Sequence, residues 1–226
     1  MSAMPGSCSD IGSNALLPSA SWSFGANKSG WLNLDVLDRA QPDLLLDLAA
    51  ELALPLLASS PTAGPLRLDA GSIDIINANN VLEHVADLPA LMGNCLRLLK
   101  VGGEFQIEVP YERAATAWQD PTHVRAMNEN SWVYYTDWFW YLGWLEHRFA
   151  IEQSVYLDLE LREAPREQAS FMRVVLAKVE TTLRERMTAR TFAPQIDVPD
   201  DAVDASWAIP GAAAALPAAA VSAVAA

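Results

Sequence analysis

The sequence predicts an α/β protein built on a mostly parallel sheet, and three observations predict it. First, the short apolar segments WLNLDV (31–36), PDLLLDL (42–48) and SIDIINANN (72–80) each reach Asp or Asn where a chain turns at a sheet edge. Second, residues 79–100 change period. Val81, Leu82, Val85, Leu88, Leu91, Met92, Cys95, Leu96 and Leu99 recur at three- and four-residue steps, as on one face of a helix. Third, EFQIEVP (104–110) follows as a strand closed by Pro110. Strand, helix and strand make one βαβ unit with parallel strands and a right-handed crossover.

Each element has a local reason. Residues 1–30 are rich in Ser, Gly, Asn and Pro and read as loop, with a short strand over 5–11 ahead of Gly12. Residues 15–24 do not easily supply a strand. Within the helical stretch, Pro89 starts the longer part. Val101-Gly102-Gly103 is expected to end it, with Lys100 in the last turn, where a cation suits the helix dipole. QSVYLDLEL (153–161) and ASFMRVVLAKVE (169–180) are two more strands, separated by few residues and so expected to pair antiparallel. Between Pro110 and Gln153 lies an aromatic-rich insertion, read as loops and short helices. The expected organisation is a loop-rich segment over 1–30, a folded domain over 31–190, and a disordered acidic and Ala/Pro-rich tail over 191–226.

Composition sets limits on function. A chain of 226 residues can bury one sizeable core. A net charge of −13 argues against a general nucleic-acid binder, because phosphate neutralisation needs clustered Lys and Arg. Cys8 and Cys95 lie far apart and form no CxxC pair, which fits a reducing, cytoplasmic setting. No basic start followed by an apolar stretch marks a signal peptide. No charge-free apolar run in residues 1–195 approaches the roughly 20 residues a membrane span needs. The Ala-rich end is interrupted by Pro210 and Pro217.

The order of GWLNLDV, DLLLDL, SIDIINANNVLEHVADL, LRLLKVGGEFQIEVPY, QDPTHVR and ENSWVYYT resembles the class I S-adenosylmethionine-dependent methyltransferases over about residues 25–180. It is most similar to a short bacterial subgroup with a DPTH loop, often found in surface-polysaccharide pathways. The resemblance implies a Rossmann-like, mostly parallel sheet with an antiparallel C-terminal strand and the aromatic-rich insertion after the fifth strand. It implies S-adenosylmethionine as cofactor and methyl transfer to oxygen or nitrogen of a small-molecule or carbohydrate-linked acceptor. Cofactor-binding residues follow from the motif positions. Asp35 would take the ribose hydroxyls, Asp47 would meet the adenine amino group with Leu48 flanking the ring, and Asn79 and Asn80 would lie under the methionine part. Open parallel sheets bind ligands beyond the carboxyl ends of their strands, which agrees.

The glycine loop departs from the family's G-x-G. Gly12, in DIGSN, and Gly25, in FGANKSG, are both candidates, and Asn27 stands where a second glycine belongs. Asn visits positive φ more readily than most residues but adds a side chain where the backbone must approach the cofactor. That departure keeps a second reading open: a weak or inactive methyltransferase-like binding protein.

Asp120, His123 and His84 are the candidate catalytic groups. Glu83 and His84 open the segment after the fourth strand, where Glu83 can also cap and His84 can pack. Asp120 with Pro121 can build a turn that presents His123 as base, or that simply holds the pocket floor. Arg125 could grip a carboxylate or phosphate of the acceptor, and Tyr111 and Trp118 are further acceptor-binding candidates. Asp120 and His123 suggest half a metal site, but no third ligand follows at useful spacing, so no metal is expected. Trp132, Trp138, Trp140 and Trp144 crowd one stretch. They fit either a packed subdomain or homodimer interface, or a lid over a sugar-like acceptor.

Overall fold

The structure is a computed structural model and describes residues 21–24, 31–61 and 63–193. The chain divides into two units, Met1–Thr182 and Leu183–Ala226. The first contains β1 (Ser21–Phe24), β2 (Leu32–Asp35), β3 (Leu44–Leu45), β4 (Leu56–Ser60), β5 (Gly64–Leu68), β6 (Ile73–Asn79), α1 (Leu88–Leu98), β7 (Leu99–Pro110), β8 (His147–Leu157) and β9 (Phe171–Glu180). In the second, the described residues form α2 (Leu183–Phe192). No helix of the described residues is long and apolar enough to cross a membrane.

Seven strands join in the order β3-β2-β1-β6-β7-β9-β8. The pairs from β3 to β7 are parallel, while β9 runs antiparallel to both β7 and β8. The sheet is therefore mostly parallel, with its antiparallel strand near the C-terminal end of the chain. β6, β7 and β9 carry the core. Ile73, Ile76, Phe105, Val109, Met172, Val174 and Leu176 are all fully or almost fully buried. Each such side chain contributes about 1.5–3 kcal/mol over its exposed state.

Several local expectations change. β1 arises from residues 21–24, inside a segment read as unable to supply a strand, and sits between β2 and β6. Two parallel neighbours give this segment its hydrogen-bond partners, which no local pattern reveals. The sheet thus begins before residue 31. The strand expected over 5–11 lies outside the described residues, as does the tail beyond 193. Residues 42–48 contribute only the two-residue β3.

The helical stretch also divides differently. Leu82–His84 forms a single 3-10 turn, and α1 starts at Leu88 with Asp87 as its cap, accepting the Ala90 amide at 3.0 Å. Gly102 and Gly103 do not stop the helix. Leu99 is already extended, and both glycines lie within β7 at a register shift against β6. Gly102 has φ of +80°, and a Cβ on Gly103 would stand 3.0 Å from the Asp74 and Lys100 carbonyl oxygens. A bulge with close backbone approach explains the pair better than a helix cap. Lys100 is accordingly a strand residue whose ammonium meets Asp74 at 2.6 Å.

Residues 49–71, which carry no expected element, hold the antiparallel hairpin β4–β5. α1 fastens the chain ahead of it. Asn94 donates to the Leu48 and Ala50 carbonyls, and Arg97 donates to that of Leu52.

Candidate active site

Because β2, β3, β6 and β7 are parallel, their carboxyl ends lie on one edge of the sheet. Asp35 closes β2 there. Its Oδ1 accepts the Leu37 amide at 2.8 Å, and its carbonyl accepts the Leu46 amide at 3.0 Å. Asp47, two residues past β3, is exposed and accepts the Ala49 amide at 2.8 Å, a side-chain-closed turn. Leu48 is only 2% exposed, so its side chain belongs to the core, and only its backbone stands near the edge. Asn79 is the last residue of β6. Asn80 turns the chain at φ of +51°, and its amide bonds the Glu108 carbonyl at 2.9 Å. Gly12 and Gly25 lie outside the described residues, although Gly25 directly follows β1 in sequence.

The second half of the edge is built from two distant segments, the 3-10 turn at Leu82–His84 and the loop QDPTHVR. The Val124 amide donates to the Glu83 carbonyl at 2.8 Å. One Arg125 nitrogen donates to the Val85 and Ala86 carbonyls, each at 2.7 Å. Arg125 therefore clamps one loop to the other.

Within this frame Asp120 closes the turn of its own loop. Asp120 Oδ1 accepts both the amide and the hydroxyl of Thr122, at 2.8 and 2.6 Å. These bonds, the hydroxyl's first, hold the Asp120 carboxyl below its usual range. Thr122 Oγ1 lies 2.9 Å from His84 Nδ1. A threonine hydroxyl has one hydrogen, and the carboxylate can only accept. That hydrogen goes to Asp120, so His84 Nδ1–H donates to Thr122 and His84 Nε2 keeps its lone pair. Thr122 was the link missing from the sequence reading, and the D-P-T turn was its local signal. Asp120 serves His84 through Thr122, and not the His123 ring.

His123 is held separately. Its Nδ1 is 3.0 Å from the Ala117 carbonyl and must donate to it. Its Nε2 is 3.9 Å from Glu83 Oε1. The two imidazoles meet edge-on, with centroids 4.7 Å apart. Glu83 is 1% exposed, and neither of its carboxylate oxygens has a hydrogen-bond partner. Burial pushes its carboxyl above the usual range, partly offset by its own nearby backbone and by the two histidines.

The other acceptor candidates divide. Tyr111 is fully buried, and its hydroxyl donates to Glu129 at 3.1 Å and accepts from Arg166 at 2.8 Å. Glu129 also pairs with Arg166 at 2.7 Å and takes the Tyr156 hydroxyl. Tyr111 is thus part of an internal polar cluster. Trp118 is 70% exposed and donates its ring N–H to the Glu112 carbonyl at 2.8 Å. In the aromatic insertion, Trp132, Tyr135 and Phe139 enter the interior, whereas Tyr134, Trp138 and Tyr141 remain exposed in edge-on contact.

In a mostly parallel sheet, the edge that carries acids at the ends of β2 and β3, and imidazoles beyond β6 and β7, is where open α/β sheets bind their ligands. Residues 46–107 match the methyltransferase domain model Methyltransf_11. The match supports a methyltransferase. No curated protein matches the chain. Similar solved structures include an S-adenosylmethionine-dependent methyltransferase from Archaeoglobus fulgidus, with 12% identity, TM-score 0.49, and coverage of 72% of this chain and 87% of that one. Another, from Mesorhizobium loti, has 16% identity, TM-score 0.43, and coverage of 70% and 90%. A third is the N-methyltransferase NodS from Bradyrhizobium japonicum, in complex with S-adenosyl-L-homocysteine, with 11% identity, TM-score 0.43, and coverage of 70% and 77%.

The residues present fit such a cofactor. Among the described residues, Asp35 commits one carboxylate oxygen and keeps the other for a hydroxyl. Asn77 Oδ1, on β6, is a buried acceptor without a partner.

Proposed function

We propose that the chain transfers a methyl group from S-adenosylmethionine to an oxygen or nitrogen of a small-molecule or carbohydrate-linked acceptor in the cytoplasm. The reading is supported above all by the methyltransferase-domain match falling on a sheet whose carboxyl edge carries Asp35, Asp47, Asn79 and Asn80. The cofactor, when bound, supplies an electrophilic methyl on a sulfonium. Asp35 would hold the ribose hydroxyls, Asp47 the adenine amine, and Asn79 and Asn80 the amino-acid end. His84, exposed and with Nε2 free, can take the acceptor's proton while Thr122 and Asp120 fix its tautomer. The carbohydrate-linked acceptor and the DPTH subgroup rest on the sequence resemblance, and the exposed aromatic rings of the insertion suit a sugar face.

Thermal unfolding and calorimetry with S-adenosylmethionine and S-adenosylhomocysteine test this, because a ligand bound only by the native state raises its stability. A rise in unfolding temperature is expected with both ligands. No shift at millimolar ligand would overturn the reading. The second reading, a binding protein with a weakened glycine loop, is motivated by Asn27. Cofactor binding without S-adenosylhomocysteine release, across a panel of glycan and amine acceptors, favours it.

A further inference from the structure

The QDPTHVR loop holds two metal-ligand residue types, Asp120 and His123, with no third at useful spacing after them. Folding supplies others from upstream. One donor atom each from Glu83, His84 and His123 lies within 4.8 Å of the others. We propose that these three residues form a binding site for a divalent transition-metal cation, zinc foremost.

Three observations carry it. The Glu83 carboxylate is buried and makes no hydrogen bond, although a buried polar group is ordinarily satisfied. A cation between it and the imidazoles supplies the missing partner. Both histidines have Nδ1 spent on an outer oxygen, Ala117 O for His123 and Thr122 Oγ1 for His84, and each keeps a lone pair on Nε2. Metal-ligating histidines are held in this way, with the second nitrogen fixed by a carbonyl or a carboxylate-backed donor. Asp120, behind Thr122, is that carboxylate.

The donor set selects the ion. Two imidazoles and one carboxylate suit zinc or another late first-row metal, whereas magnesium prefers an all-oxygen shell. Three protein ligands leave a fourth position open, as in catalytic zinc sites. Zinc–ligand bonds near 2.0–2.2 Å place tetrahedral neighbours about 3.4 Å apart. The Glu83–His123 separation of 3.9 Å then closes by about half an ångström on loading. The site lies on the carboxyl edge of the sheet, beyond β6 and β7. A bound ion occupies the His84 Nε2 lone pair, so His84 can take the acceptor's proton only in the metal-free protein; metal binding itself does not depend on the methyl-transfer reading.

The test uses the full chain, stripped with a chelator and titrated with Zn²⁺ by calorimetry, and with Co²⁺ by visible absorption. One equivalent of zinc should bind, and cobalt should give the absorption of a low-coordinate site. Magnesium should not compete. Glu83→Gln and His84→Gln should each weaken zinc binding at least tenfold. Asp120→Asn, outside the ligand set, should weaken it about tenfold, in line with the loss of an outer-shell partner. His147→Gln, on β8, should leave it unchanged. His84 is exposed, so its variant reports even if Glu83→Gln fails to fold. Zinc binding by Glu83→Gln, His84→Gln and His147→Gln that equals the wild type overturns the proposal, as does no binding by the wild type.

Discussion

The two halves of the carboxyl edge are built in opposite ways. At the ends of β2 and β3, Asp35 and Asp47 each bond an amide two residues ahead, Asp35 half-buried and Asp47 exposed. Beyond β6 and β7, the bonds that join the two loops span long stretches of chain: His84 to Thr122, Arg125 to Val85 and Ala86, Val124 to Glu83. The first half is a set of self-contained turns, which can change without disturbing the fold. The second is a clamp between two loops, in which chemistry and stability share residues.

The largest expected effect breaks the clamp. Arg125→Ala removes a charged donor from two carbonyls and leaves them without it, so unfolding by urea should show a loss of about 2–4 kcal/mol. Arg125→Lys should recover only part of that, because one ammonium cannot reproduce the guanidinium fork. If Arg125→Ala unfolds like the wild type, the two halves do not differ as described.

Next comes Asp35→Ala on the locally bonded side. Losing a charged acceptor of about 1.5–3 kcal/mol should weaken S-adenosylmethionine binding roughly 10- to 100-fold by calorimetry. Stability without ligand should move by less than about 1 kcal/mol, since the residue's own bond is a local turn. Asp47→Ala should be milder, about fivefold in affinity for a single neutral-donor bond, again with little change in unfolding.

The smallest expected effect is a pH dependence that belongs to the clamped side. Glu83 has its folded carboxyl raised, chiefly by burial, so the folded state holds the proton to higher pH than the unfolded state does. Stability then falls as pH rises from the ordinary carboxylate range through the raised value, and the cost is fully present above it. In the presence of chelator, Glu83→Gln should lack this slope. Its unfolding temperature should gain on the wild type as pH rises from 4 to 8. Parallel profiles for the two proteins would show that Glu83 carries no such burden.

Legibility in the sequence follows the same division. β2, β6 and the start of α1 beside Pro89 lie where alternation, period and proline place them. The antiparallel pairing of β8 and β9 follows from their short separation. β1 was not legible, because its strand character comes from two neighbours and not from its own four residues. Gly102-Gly103 reads equally well as a helix stop or a strand bulge, and only the register of β6 against β7 decides. Among site residues, Asp35 at its strand end was readable from local pattern. The partner of Asp120 was not: the loop suggests His123, and the structure gives His84 through Thr122.

By itself, the sequence determined an α/β chain with its acids at strand ends, because strand alternation, helical period and turn chemistry all act within a few residues. Only the tertiary structure decided which imidazole Asp120 supports, that Arg125 is a clamp, and that Glu83 is buried beside two histidines. Those outcomes depend on the carboxyl ends of β6 and β7 being brought side by side. Parallel pairing through a helical crossover does this, and no local spacing along the chain records it.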